Sequence, residues 1–273
     1  MASFHLKPTF VVFIASTFIL SYSFCHADSN LSRGSLCAQA DNSTVGNSFQ
    51  TNLNNIFHSL ASNGPLNSCF YKTTAGKGSN KIYGFIQCRG DISARDCANC
   101  TGGHTCPKSK EVTVWFRWCF LRYSDEKFFG VSEPTRVTIF DNNDVDDPSV
   151  VSKGFSFMGA LASTTPNQPL MFQTSVLEEG GKNETRYGMA QCTRDFSRSE
   201  CGKCLNTRLV NFKDIINSNR RWEIYGMGCS MWYHDYQFYY NISTTASAGA
   251  RKSGNGVVVG IPAFLMFTYL VVL

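Results

Sequence analysis

The sequence predicts an α+β protein built from two tandem domains stapled by disulfides, and three observations carry that reading. The spacing C-x8-C-x2-C occurs twice, as Cys88, Cys97 and Cys100 in YGFIQCRGDISARDCANC and as Cys192, Cys201 and Cys204 in YGMAQCTRDFSRSECGKC. Gln87 with Gln191, Asp91 with Asp195, Ser93 with Ser197 and a Tyr-Gly pair recur at the same offset, which marks a duplicated domain rather than a solenoid of short repeats. Around each copy, apolar residues recur first at helical and then at strand spacing, so each domain mixes both element types.

Length and composition fit this. A chain of 273 residues has room for two domains of about a hundred residues each plus targeting segments. Charged residues make up only 16%, against about a quarter in typical soluble domains, so the interior is strongly apolar. The formal net charge is +5. No Lys/Arg run or aromatic-basic stripe accompanies it, which argues against nucleic acid as a partner.

Both ends read as addresses. Residues 1–27 join a weakly basic start (His5, Lys7) to an apolar run from Phe10 to Leu20 and small residues near Ala27, the pattern of a secretory signal peptide. Cleavage there removes Cys25 and leaves eleven of the twelve cysteines in an oxidising compartment. At the other end, Ser247-Ala248-Gly249 and a polar spacer with Arg251 and Lys252 precede the apolar run 257–273. Those are the parts of a glycosylphosphatidylinositol (GPI) anchor signal. A single transmembrane helix is the rival reading. It is weakened by Gly260, Pro262, the short run and a basic flank on the outer side. Either one holds the protein at the membrane through its C-terminal tail.

In chain order, Phe49, Leu53, Ile56, Phe57 and Leu60 predict a helix over 47–63, ended by Asn63-Gly64-Pro65. Strands over 71–75 and 81–87 flank the turn Gly76-Lys77-Gly78. A short helix follows from Ser93, its N-cap, with Asp96 in the first turn. Alternation over 112–123 predicts one central strand buried on both faces. The acidic segment 133–148 reads as a solvated linker; it lacks the glycine and closing glutamate of a calcium loop. The second unit repeats the order, with a helical stripe at Val151, Phe155, Met158 and Leu161 and strands over 171–177 and 186–191. A second helix carries Leu205, Leu209, Phe212 and Ile216, and strands over 222–231 and 236–240 close the sheet. Residues 242–256 form a Ser/Thr/Ala/Gly stalk. The domains are thus 30–132 and 149–241. Of the N-x-S/T sequons, Asn42, Asn183 and Asn241 are the glycosylation sites expected over Asn30 and Asn99.

The doubled C-x8-C-x2-C, with Cys37 near the mature start and Cys119 on a late strand, resembles the plant ginkbilobin-homologous (stress-antifungal) domain. Its duplicated form occurs in cysteine-rich repeat secretory proteins, plasmodesmata-located proteins and receptor-like kinase ectodomains. The resemblance implies two helices packed on an antiparallel sheet of about five strands in each domain. Spacing alone leaves the connectivity open. The family's pattern would pair Cys88 with Cys97, Cys100 with Cys119, Cys37 with Cys106, Cys192 with Cys201 and Cys204 with Cys229. The second unit lacks both partners of the long bridge, worth roughly 4 kcal/mol in the chain-entropy model, and is expected to be the less stable. Cys69 is left over, as a free thiol or as a bridge to a second copy in a homodimer. The segment after Cys100 is short for the family's second helix.

The chemistry points to binding rather than catalysis. A redox C-x-x-C needs its two sulfurs bonded to each other, and the cysteine upstream in both copies is a competing partner. No G-x-S-x-G elbow is present, and His58, His104 and His234 fall in no repeated constellation. Cys97, Cys100, His104 and Cys106 have the types of a zinc set. An oxidising compartment and the unmatched histidine speak against metal, and no cofactor is implied. In lectin members of the resembled family three positions hold Asn, Arg and Glu; here they are Ala38, Thr113 and Ser124, so a mannose site is expected to be absent. The second unit offers Glu223 and His234 at two of them. Trp232, Tyr233 and Tyr236 are candidates for a sugar platform. The resemblance thus implies a non-enzymatic extracellular module at the plant cell surface, plasmodesma or apoplast, acting in stress or defence through a protein or cell-wall glycan; a secreted antifungal effector is the alternative.

Overall fold

The computed structural model describes residues 30–38, 46–101, 106, 109–141, 145, 147–178, 185–216 and 219–241. The signal peptide, stalk and tail read from the sequence, and the sequons Asn42 and Asn183, lie outside them. Two five-stranded antiparallel sheets organise the rest. The first has the order β1-β4-β5-β3-β2, from β1 (Ser32–Cys37), β2 (Phe70–Ala75), β3 (Ile82–Cys88), β4 (Val112–Phe116) and β5 (Cys119–Ser124). The second repeats it as β6-β9-β10-β8-β7, from β6 (Arg136–Phe140), β7 (Phe172–Leu177), β8 (Arg186–Cys192), β9 (Trp222–Gly226) and β10 (Cys229–His234). Both belong to one compact unit ending at Tyr240.

Each sheet carries helices on one face. In the first domain α1 (Asn47–Asn63) buries Phe49, Leu53, Ile56 and Leu60 against Ile82, Ile86, Val114 and Leu121. The second helix, α2 (Ala94–Ala98), is a single turn capped by Ser93, whose Oγ accepts from Asp96 N at 3.1 Å. In the second domain α3 (Pro148–Thr164) and the full-length α4 (Arg198–Ile216) cover the sheet with Met158, Leu161, Leu205 and Phe212. The repeated Tyr-Gly pair is explained here. A Cβ on Gly84 would lie 2.2 Å from Ile56, and one on Gly188 2.5 Å from Phe157, so glycine is what lets each long helix close on its sheet.

Four readings are corrected. The single strand expected over 112–123 is a hairpin, β4 and β5, turning at Arg117-Trp118. Val114 therefore pairs with Leu121 across the ladder, and the absence of Gly, Pro, Asn or Asp at Arg117-Trp118 disguised the turn. The strand expected over 222–231 is likewise β9 and β10, and here Gly226 and Gly228 were the turn signal. Residues 136–140 of the expected linker form edge strand β6, paired with β9, so the second sheet begins before 149. Residues 236–240 are no strand; Phe238 and Tyr239 pack instead between the sheets. Strand β1, mostly exposed and paired only with β4, carried no apolar alternation to reveal it. Among the described residues no helix is long and apolar enough to cross a membrane.

Candidate binding cleft between the two sheets

Strand alternation decides which side chains reach the helix-free faces. Trp115 and Phe120 of the first sheet and Met189, Tyr225 and Trp232 of the second point away from their helices and form one shared apolar cluster with Phe172, Phe238 and Tyr239. The two domains thus meet sheet to sheet. Trp115 Nε1 donates across the boundary to Gly226 O at 3.1 Å.

The polar residues repeated in the two copies bind reciprocally at this boundary. Gln87 Nε2 donates to Cys192 O at 2.8 Å, and Gln191 Nε2 donates to Cys88 O at 3.1 Å. Asp91 Oδ2 accepts from Tyr240 N at 2.8 Å, and Asp195 Oδ2 accepts from Gly130 N at 2.7 Å. Gly90 and Arg194 are also counterparts. A Cβ on Gly90 would meet the Phe172 ring at 2.3 Å, while the Arg194 guanidinium lies 4.8 Å over Phe70. Arg89 has no such twin. It is clamped by Asp91 at 2.6 and 2.8 Å and lies 5.0 Å over Trp232, so its charge is paired although it is buried. Sequence reasoning assigned no role to Gln87, Gln191, Asp91 or Asp195, yet their repetition was the signal.

The symmetry breaks where Phe120 of the first sheet has Ser230 as its counterpart directly after the last cysteine of each unit. The small side chain leaves a cleft of about 50 Å³ walled by Trp115, Trp118, Phe120, Tyr225, Ser230 and Trp232. That is room for a few waters or the tip of a side chain. The indole N–H groups of Trp118 and Trp232 are buried and meet no acceptor among the described residues.

At one edge of the boundary a charged cluster joins the domains. Glu223 accepts from Tyr225 OH at 2.6 Å, lies 3.1 Å from His234 Nε2 and is approached by Arg33 of the first sheet at 3.7 Å. Burial opposes the charge on Glu223, but His234, Tyr225 and Arg33 outweigh it and hold its carboxyl below the usual range. Burial, then the Glu223 charge, pushes the Tyr225 phenol well up. Of the three positions compared with the lectin site, Ala38 is exposed with its amide on Glu111 O at 3.0 Å. Thr113 and Ser124 are 1% and 2% exposed, and Ser124 Oγ accepts from Glu126 N. Arg122 beside them is taken up by Glu111 and Glu133 at 2.6 and 2.7 Å. The proposed sugar platform is not assembled: Trp232 and Tyr233 are buried and Tyr236 alone is exposed.

Among the described residues five disulfides join Cys37 to Cys106, Cys88 to Cys97, Cys100 to Cys119, Cys192 to Cys201 and Cys204 to Cys229. Cys97, Cys100 and Cys106 of the zinc-like set are therefore in bridges, and His104 lies outside the described residues. Cys69 is free and only 8% exposed. Asn241 is exposed, whereas Asn30 uses its side-chain oxygen to accept from Trp118 N at 3.0 Å.

Residues 36–126 and 150–236 match the family model described as salt stress response/antifungal. The chain is 28% identical over 210 residues to the antimicrobial ginkbilobin-2-like protein of Castanea crenata, covering 74% of this chain and 86% of that one. It is 30% identical over 214 residues to cysteine-rich repeat secretory protein 38 of Arabidopsis thaliana, covering 74% and 83%. The crystal structure of the tandem DUF26 ectodomain of the Arabidopsis thaliana cysteine-rich receptor-like protein PDLP8 superposes with a TM-score of 0.64 at 23% identity, over 76% of this chain and 98% of that one.

Proposed function

The chain belongs to the salt stress response/antifungal domain family, and from that membership we infer that it is a non-enzymatic extracellular binding module. It would work at the plant cell surface, in stress or defence signalling or at cell junctions, with a protein or cell-wall glycan as partner. The carrying observation is the cleft between the sheets. Its walls are largely aromatic, with Gln87, Gln191 and Ser230 among the polar groups of its lining, so it would suit the tip of a small partner group that carries both apolar surface and a polar atom. The tail would hold the protein at the membrane, with glycans on Asn42, Asn183 and Asn241. The name of the Castanea crenata relative favours a second reading, a released antimicrobial effector.

The test uses the secreted or surface-bound product of the full chain. Tryptophan fluorescence is followed while cell-wall oligosaccharides and aromatic-tipped peptides are added. A saturable change in the wild type, weakened at least tenfold in Ser230→Trp, is expected because the indole fills the cleft. Equal binding by a folded Ser230→Trp variant would sink the cleft as the binding site.

A further inference from the structure

Cys69 does not stand alone: its sulfur and those of Cys88 and Cys97 lie within 4.8 Å of one another. Cys88 and Cys97 are bonded, so a free thiol rests against an intact disulfide. The backbone favours contact with Cys88 in particular. Phe70 pairs with Gln87 at the end of the β2–β3 ladder, and just beyond it Cys88 N donates to Cys69 O at 2.8 Å, which holds the two cysteines side by side. The second domain supplies a comparison within the same chain. Met171 precedes Phe172 as Cys69 precedes Phe70, with φ of 47° against 64°, and no third cysteine sulfur lies with those of Cys192 and Cys201 among the described residues.

We propose that Cys69, Cys88 and Cys97 form a disulfide-exchange centre that gives the folded chain two pairings, Cys88–Cys97 and Cys69–Cys88. The Cys69 thiol gives up its proton and its sulfur attacks Cys88 Sγ. The Cys69–Cys88 bond forms as the Cys88–Cys97 bond breaks, and the bonding pair leaves on Cys97 Sγ, which takes up the proton. The number of disulfides is unchanged, so the step needs neither oxidant nor reductant. Its structural effect is local. Cys97 lies in α2, and the exchange replaces the bridge tying α2 to β3 with one inside the sheet, leaving that helical segment held by Cys100–Cys119. Burial raises the Cys69 thiol above its usual range against the pull of the Arg194 charge, so the exchange is slow at neutral pH and faster in mild alkali.

The wild-type full chain is incubated at neutral and mildly alkaline pH, its free thiols are trapped with N-ethylmaleimide on denaturation, and it is digested without reductant for mass mapping. One label per chain is expected, divided between Cys69 and Cys97, with a Cys69–Cys88 peptide pair accompanying the Cys97 label. Cys97→Ser is expected to bond Cys69 to Cys88 and take no label; Cys69→Ala keeps Cys88–Cys97 and also takes none. Label on Cys69 alone in the wild type under both conditions, label spread to Cys100 or Cys119, or two labels on Cys97→Ser would each overturn the proposal.

Discussion

Gln87 and Gln191 exchange hydrogen bonds across the domain boundary, each side-chain amide donating to the carbonyl of the cysteine that follows the other glutamine. Each therefore binds the strand end where the other domain's C-x8-C-x2-C begins. Asp91 and Asp195 repeat this reciprocity one turn further on, with Tyr240 N and Gly130 N. Duplication has placed the same residue on both sides of a pseudo-twofold contact, so the motif that staples each domain also joins the pair.

The two glutamines are not equal in cost. Gln87 also accepts from Arg194 N at 2.9 Å, so its loss strips partners from a buried carbonyl and a part-buried amide. Each buried group left unpaired costs about 1–3 kcal/mol. Gln87→Leu is therefore expected to lose about 2–4 kcal/mol in denaturant unfolding, and Gln191→Leu about 1–2. Equal losses, or none, would show that water replaces these bonds.

Much of this fold was legible in the sequence, and the misses share causes. The helix over 47–63 followed from the spacing of Phe49, Leu53, Ile56 and Leu60, whose faces the structure buries. The hairpin turn at Arg117-Trp118 was hidden because it holds none of the usual turn residues and Trp118 continues the alternation of Val114 and Phe116. Strand β6 was masked by the acidic residues that follow it, although Val137 and Ile139 alternate as an edge strand should. The cleft was illegible for a deeper reason. Phe120 and Ser230 line it from different sheets, and no local pattern reports how two domains meet.

The charged cluster at the boundary predicts a pH dependence. Burial opposes the ionised Glu223, but His234, Tyr225 and Arg33 lower its folded pKa below the unfolded carboxylate value of about 4.3. A depressed pKa contributes stability that is present above the unfolded value and is lost as pH falls through the folded one. Glu223→Gln should thus be less stable than the wild type at neutral pH, by about 1–3 kcal/mol, with the gap narrowing as pH drops below about 4. Melting curves across this range check it, and a gap that widens in acid would refute the assignment.

Anchoring makes a cleaner prediction about the tail. Cells expressing the full chain, tagged just after Ala27, are treated with phosphatidylinositol-specific phospholipase C and the medium is blotted. Release is expected, from Ser247-Ala248-Gly249 and the apolar run 257–273. Retention in the membrane fraction would support a spanning helix, and spontaneous secretion the antimicrobial reading.

The domains differ most in how they close their sheets. The first has a single-turn second helix and the Cys37–Cys106 bridge, with a sequence separation of 69; the second has a 19-residue helix and no such bridge. Closing a loop of that size removes unfolded-state entropy worth about 4 kcal/mol in the chain-entropy model. Cys37 is exposed, so replacing the pair leaves little cavity on that side. Cys37→Ser/Cys106→Ser is therefore expected to lose about 4 kcal/mol, with a steeper dependence on denaturant because the unfolded chain is no longer cross-linked. Amide exchange locates the effect. In the wild type, β8–β10 should exchange faster than β3–β5; in the variant the order should level or invert, because the first domain then has neither the bridge nor a long second helix. A loss below about 1 kcal/mol would mean that α1 and the sheet-to-sheet contact already confine the first domain, and that the bridge holds only the segment around Cys106.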